Sequence, residues 1–316
     1  MPKKISQQEV EYTKSHFAVI DLGSNSFHLL ITQLVNNKIE VVDKVKQKVR
    51  LAAGLNNHNE LSSEAINRGL KCLTLFAKHL KGIPLSNIRI VTTATLRIAI
   101  NRDDFLSLAN KILPLKIKLL SGQQEANTIY SGVAHTSQGD CHKKRLVIDI
   151  GGASTELIIG QGFDAKHAVS LNLGCVSYKE RFFTGGLLTE NNFTTAVSAA
   201  KKAIAPEAES FINLGWESVL GSSGCMQALA EILHGRQQPI IITTSFMQEI
   251  EQALILCKTI ENITLPGLRA DRAPVLASGL CILIALFNVL NIKELKLSTG
   301  ALREGLLYEM LPPRSS

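Results

Sequence analysis

The chain states one short pattern twice, and this constrains its fold more than any other feature. The first copy is Asp21–Ile31 (DLGSNSFHLLI) and the second is Asp149–Ile159 (DIGGASTELII), in strict register 128 residues apart. Asp21 matches Asp149, Gly23 matches Gly151, Ser26 matches Ser154 and Leu29 matches Leu157. So long a period indicates a duplicated unit rather than a short solenoid repeat. Each copy follows an apolar run, Phe17–Ile20 or Leu146–Ile148, and continues into a β-rich segment, which reads as strand, small-residue turn, strand. Glycine and serine in the turn let backbone N–H groups approach an anion closely, and an Asp at the strand end can hold a metal ion or its waters. One such turn reads equally well as an ordinary glycine-containing hairpin. Two in register, each keeping its Asp, favour a clamp that grips a phosphate chain from both sides.

Composition narrows the classes. A length of 316 residues suits about two domains, and 45% apolar residues allow a sizeable core in each. Aromatic residues are only 5%, which argues against a stacking platform for single-stranded nucleic acid. The formal charge of +7 fits a polyanionic ligand or plain solubility charge; the basic residues are dispersed and no nucleic-acid motif appears. The six cysteines are scattered without metal-ligand spacing, as expected for reduced thiols in a cytoplasmic protein. The N-terminal segment lacks the apolar stretch of a signal peptide. Val275–Ile292 reaches minimal membrane-spanning length but contains Ser278, Gly279, Asn288 and Asn291 and lacks clear flanking charges, so a buried helix is expected and no integral-membrane segment.

In chain order, strands are expected over Phe17–Asp21, Ser26–Val35 and Ile39–Val49. A helix capped by Ser62 or Ser63 then runs to about Leu80, with Ile66, Leu70, Leu73 and Ala77 as its apolar stripe. The strand Ile88–Thr93 ends in Thr-Ala-Thr-Leu-Arg97, where hydroxyls and an arginine sit in a βα loop. Ser121-Gly122 turns into a helix with Glu125 in its first turn, either a simple N-terminal carboxylate or a general base shown to a cleft. The second half restarts at Leu146, and its long helix from about Glu190 to Phe211 is expected to break or kink near Pro206. Gly221-Ser222-Ser223-Gly224 and Ser298-Thr299-Gly300 are two further small-residue turns between a strand and a helix. The expected fold is α/β, with two similar lobes and a ligand cleft between them.

FAVIDLGSNSFHLLI, TATLR (Thr93–Arg97), SGQQEA (Ser121–Ala126), LVIDIGGASTELIIG, GSSG and GALREGLLYEM together resemble the Ppx/GppA family of exopolyphosphatases and guanosine pentaphosphate phosphohydrolases, across about Phe17–Met310. Leu70–Leu80 and Leu265–Leu268 look closest to bacterial exopolyphosphatases. The resemblance implies two ribonuclease-H-like lobes of the actin-like ATPase/sugar-kinase fold. Residues 1–128 with 301–316 would form one lobe and 129–300 the other. It implies Mg²⁺-dependent exopolyphosphatase activity, with the guanosine pentaphosphate phosphohydrolase as the alternative and a non-catalytic polyphosphate or alarmone-binding regulator as a further one. By the same resemblance Glu125 is the catalytic base and Glu156 the second catalytic carboxylate, Arg97 and Arg272 bind substrate phosphate, and Asp21 and Asp149 are the loop aspartates at the metal. Gly23, Ser24, Asn25, Gly151, Gly152, Ala153, Ser154, Ser223 and Gly224 form the phosphate cradle. The resemblance leaves a homodimer open. Three departures stand out: Gln124 where the family often has Glu, Ala153 where it usually has Gly, and Thr299 where it often has Asp. The chain looks like the short members, which lack the C-terminal HD-type domain.

Overall fold

The structure, a computed structural model, describes residues 12–36, 38–137 and 142–311. The first half runs β1 (His16–Leu22), β2 (Ser26–Val35), β3 (Lys38–Lys48), α1 (Ser63–His79), β4 (Ile88–Thr92), α2 (Ala94–Ile98), α3 (Arg102–Ile112), β5 (Lys118–Leu119) and α4 (Gly122–Thr136). The second runs β6 (Lys144–Ile150), β7 (Thr155–Gln161), β8 (Asp164–Leu171), α5 (Cys175–Phe182), α6 (Glu190–Leu214), β9 (Ser218–Ser222), α7 (Ser223–Gly235), β10 (Ile241–Thr243), α8 (Thr244–Cys257), α9 (Leu276–Leu290), β11 (Glu294–Leu297) and α10 (Leu302–Tyr308).

The duplication in the sequence is a duplication of topology. The first sheet has the order β3-β2-β1-β4-β5 and the second β8-β7-β6-β9-β11, with β10 added at its edge. In each, three antiparallel strands lead into parallel pairing: β1 with β4, and β6 with β9. This is the two-lobed ribonuclease-H-like arrangement of actin-like ATPases and sugar kinases. β1 and β6 lie at the sheet centres and are apolar on both faces, because both faces are covered. β3 is an edge strand, largely exposed and rich in lysine.

Each lobe has its own core, and a third core joins them, in which α4 and α10 contribute Ala126, Ile129, Val133, Leu302 and Leu306 against Val19 of one sheet and Val147 of the other. A methyl group on Gly305 would lie 1.9 Å from the Thr128 carbonyl oxygen, and one on Gly132 would lie 2.0 Å from that of Ala301. Only glycine lets these two helices approach so closely. Residue 128, where the sequence reading divides the lobes, falls inside α4, which is continuous from Gly122 to Thr136.

Three local expectations change. The buried stripe of α1 is Ala65, Gly69, Cys72, Leu73 and Phe76, with Ile66, Leu70 and Ala77 only partly covered; the stripe is rotated to meet α3. α6 continues unbroken from Glu190 to Leu214, with Pro206 inside it; a long helix packed against α9 absorbs one lost backbone bond. Ile241–Thr243, unassigned in the sequence, pairs with β11 as an edge strand. Ala273–Leu290 is long and apolar enough to cross a membrane, with a mean hydropathy of 2.3, and it is largely buried in the second lobe's core. Five cysteines among the described residues are unpaired; Cys141 lies outside them.

Candidate active site

The two Asp-x-Gly turns meet at the cleft. β1 delivers Asp21 and the loop Gly23–Asn25; β6 delivers Asp149 and the loop Gly151–Ser154. The loops are in contact: a methyl group on Gly152 would lie 2.7 Å from Ser24 Cβ and 3.3 Å from the Asn25 nitrogen. Between them lies a cavity of about 210 Å³ whose walls include Asp21, Gly23, Ser24, Asn25, Gly151, Gly152 and Ser154. Asp149, Glu125, Ser223, Gly224 and Arg272 line it too. Most of the expected site residues therefore converge on one space. Arg97, Ala153 and Glu156 lie outside its wall.

The third loop supports the second. Ser222 Oγ donates to the Asp149 carboxylate and Ser223 Oγ donates to the Ile150 carbonyl at 2.8 Å. Ser223 has φ 83°, a left-handed backbone that a non-glycine residue adopts only under local constraint. Arg272 is fixed beside it, Nη1 donating to the Gly224 carbonyl at 2.8 Å and Nη2 to Gln227 Oε1 at 2.6 Å.

Glu125 owes its position to the start of α4. Ser121 Oγ accepts the Gln124 amide at 3.2 Å, and Gln124 Oε1 accepts the Ser121 amide at 3.0 Å. This reciprocal cap accepts Gln as readily as Glu, so the Gln124 departure is structurally accommodated. Glu125, only 6% exposed, faces the cavity. Burial pushes its carboxyl up to about 7; Arg97 opposes the rise, and Asp21 and Asp149 add to it.

Arg97 is committed elsewhere than a free phosphate site. Its Nη1 donates to Glu125 Oε2 at 2.5 Å and to the Leu120 carbonyl at 3.2 Å. Its Nη2 donates to Ser170 Oγ at 3.3 Å and lies 4.0 Å from Glu156 Oε1. Glu156 is 1% exposed, accepts a 2.7 Å bond from Ser170 Oγ, and is held well above the usual carboxylate range by burial and then by the charges of Glu125 and Asp149. It stands behind Glu125, not on the cavity wall.

Several cavity residues carry no sequence assignment. Arg303, in the first turn of α10, donates from Nη1 to His28 Nδ1 at 2.8 Å, and both line the cavity with Lys46 and Asp271. His28 is held well below its usual value by burial and by the surrounding cations, Arg303 first. The strand registers expose its equivalence to Glu156: Asp21 pairs with His28, and Asp149 pairs with Glu156. Arg303 lies within the GALREG motif, the signal that the sequence offers for it. Ser170 could be found only through the β7–β8 pairing of Glu156 with Ser170. Of the other departures, Thr299 is exposed and outside the cavity. Ala153 is buried and is not among the positive-φ residues, so its Cβ meets no backbone penalty.

The donors suit a hard divalent cation. Burial pushes Asp21 and Asp149 each up to about 6, with their mutual repulsion contributing at Asp21 and Arg303 opposing the rise in both. Among the described residues no group of three or more His, Cys, Asp or Glu is placed to hold a metal unaided. Mg²⁺ binds through one or two carboxylates, with waters and substrate phosphates completing its octahedron. Asp21 and Asp149 therefore fit as its protein ligands, directly or through water.

A two-lobed α/β fold thus brings facing Gly/Ser loops, paired aspartates and a buried glutamate to one cavity. The chain belongs to the Ppx/GppA phosphatase family, whose model matches residues 30–314. It is 50% identical over 295 residues to the guanosine-5'-triphosphate,3'-diphosphate pyrophosphatase of Photobacterium profundum, and equally to that of Vibrio cholerae serotype O1. Each match covers 93% of this chain and 59% of the relative, so the chain spans about three fifths of the length of these curated relatives. An exopolyphosphatase from Cytophaga hutchinsonii has the same fold, with a TM-score of 0.84 at 23% identity over 93% of this chain and 97% of that one. So does the Aquifex aeolicus PPX-GPPA enzyme, with a TM-score of 0.74 at 22% identity over 93% of this chain and 99% of that one. The sequence leaned toward exopolyphosphatases; the relatives at 50% identity carry the family's other activity in their names.

Proposed function

We propose that this chain hydrolyses the terminal phosphoanhydride of a phosphate chain, and that guanosine pentaphosphate, cut at its 5′ end, is its first substrate. The observation that carries the chemistry is Glu125: a buried carboxylate on the cavity wall, raised to about 7 and held by Arg97. A base tuned near neutrality both accepts a proton readily and is ionised often enough to act. The amides of Gly23–Asn25, Gly152, Ser154, Ser223 and Gly224 grip the phosphates, the Gly151 amide being taken by the Ser154 carbonyl, and Arg272 and Arg303 neutralise oxygens that gain charge. Glu125 takes a proton as water oxygen attacks the terminal phosphorus. The bond to the bridging oxygen breaks, and orthophosphate leaves with the shortened chain. Mg²⁺ held at Asp21 and Asp149 would supply charge neutralisation to the phosphate chain. Arg97 and Glu156 act through Glu125, by orienting it and setting its charge. With Gln124, Ala153 and Thr299 all placed without cost to the cavity, a catalytic role is favoured over a binding-only regulator.

The substrate choice rests on the relatives' names. A second reading, inorganic polyphosphate, is favoured by the cavity itself: among the described residues no Phe, Tyr or Trp is part of its walls, so it offers many phosphate contacts and only His28 and the arginine planes for a guanine to stack on. Phosphate release with Mg²⁺ from guanosine pentaphosphate, tripolyphosphate and long polyphosphate, run side by side, tests both. Fastest kcat/KM on guanosine pentaphosphate supports the first reading, and preference for long polyphosphate replaces it with the second. Binding without release from any of the three would favour the regulator.

A further inference from the structure

Beyond the loops the cavity opens onto a charged rim of which the catalytic reading uses only Arg272. β3 brings Lys46 and Lys48 from the first lobe; the segment before α9 brings Arg269, Asp271 and Arg272 from the second. Lys46 Nζ lies 3.5 Å from Asp271 Oδ2, and Lys48 Nζ donates to the Asp271 main-chain carbonyl. Arg269 holds both oxygens of the same carboxylate at 2.9 Å. Arg272 is matched by Glu231, with Nε 3.0 Å from Oε1, whereas Lys46 and Lys48 share Asp271 as the acid beside them. Asp271 is thus an anion seated among cations at the junction of both lobes, and Lys46, Asp271 and Arg272 all face the cavity.

We propose that Lys46 and Lys48 form a second anion subsite at the cleft mouth. It takes a phosphate group further along the substrate than the one removed, and Asp271 fills it until that phosphate arrives. A stretch of phosphate chain brings one negative charge per phosphorus, and more at a free end, so two neighbouring phosphates outcompete one carboxylate for a pair of lysines, whose ammonium groups bind them as point charges. The exchange is one anion for another, so it adds no uncompensated charge. It rests on the reading above, since its ligand is the tail of the same substrate. A polyphosphate chain and the 3′-diphosphate of guanosine pentaphosphate present this chemistry equally.

The test compares the wild type with Lys46→Ala/Lys48→Ala, Lys46→Arg/Lys48→Arg and Asp271→Asn. Steady-state phosphate release is measured on tripolyphosphate, long polyphosphate and guanosine pentaphosphate, and equilibrium binding with fluorescently labelled long polyphosphate. The double Ala variant is expected to raise KM for a tailed substrate about tenfold, the value of one lost contact of ordinary strength, while kcat changes little and the KM rise for tripolyphosphate is several times smaller. The double Arg variant should restore KM, and Asp271→Asn should lower it severalfold. Movement in only one tailed arm identifies the source of the tail. An equal KM rise for short and tailed substrates, or no effect of Asp271→Asn, overturns the subsite. If the wild type releases phosphate from no substrate, the catalytic reading fails alone. The binding series then decides the subsite: weaker with Lys46→Ala/Lys48→Ala and tighter with Asp271→Asn supports it, and unchanged binding overturns it.

Discussion

At Glu125 two opposing influences are balanced, and each can be removed separately. Glu125→Gln keeps the shape and the neighbours but removes proton acceptance, so kcat should fall by about 10²–10⁴, the usual worth of a general base, while labelled polyphosphate still binds. Unchanged turnover would exclude Glu125 as the base. The pH profile gives a second check. Burial holds the carboxyl at about 7, and the base works only when ionised, so kcat/KM should rise with pH through about 7. The Arg97 guanidinium favours the ionised form. Arg97→Ala should therefore move that rising limb to higher pH, and a limb that stays in place or moves down would show that Arg97 does not set the charge of Glu125.

The elements that matter most are the facing loops and the paired central helices. Gly152→Ala would place a methyl group 2.7 Å from Ser24 Cβ; forcing the loops apart should lower kcat/KM by about 10-fold or more, since small misplacements of positioning groups are costly. Gly305→Ala strikes the α4–α10 contact, where the added carbon meets the Thr128 carbonyl. Overpacking of this kind costs about 1–3 kcal/mol and occasionally more, readable as a lower urea midpoint. The loops were legible in the sequence because they repeat; Glu125 read equally as a plain helix-start carboxylate until the family resemblance of Ser121–Ala126 singled it out. The face of α1 was not, since Phe105 of α3 lies far along the chain and decides which stripe is buried. Nor was the position of Glu156 behind Glu125, because it depends on Arg97 and Ser170 arriving from two other elements. Arg303 was visible as a letter in a motif, but its aim at His28 is set by packing of α10 between the sheets.

Over the whole molecule, the site is a concentration of buried acids. Asp21 and Asp149 are raised to about 6 and Glu125 to about 7. A raised folded-state value means the folded chain holds the proton more tightly than the unfolded one. That contribution to stability is full below the ordinary carboxylate range and is lost as pH rises through 6 to 7. Asp271, lowered to about 2 and partly exposed, acts in the opposite sense but only in strong acid. The metal-free protein should therefore melt several degrees lower at pH 8 than at pH 5, each kcal/mol being worth about 2–4 °C at such sizes. Added Mg²⁺ should stabilise by about 2.7 kcal/mol at pH 8 when present at a hundredfold excess over its Kd there, and by less at pH 5, where the two carboxyls are protonated. Equal recovery at both values would show that Asp21 and Asp149 do not hold it. The unequal partners of the two strand ends, His28 beside Asp21 and Glu156 beside Asp149, have a consequence for direction. A chain of identical phosphates reads the same from either end, and a cradle with two equal halves would accept it in two opposed orientations. With imidazole and guanidinium on one side and carboxylates on the other, a bound phosphate chain would, on the proposed reading, run from the base in one direction only. Either end of such a chain could enter, but the path along which the rest of it leaves the cleft would be set by the protein.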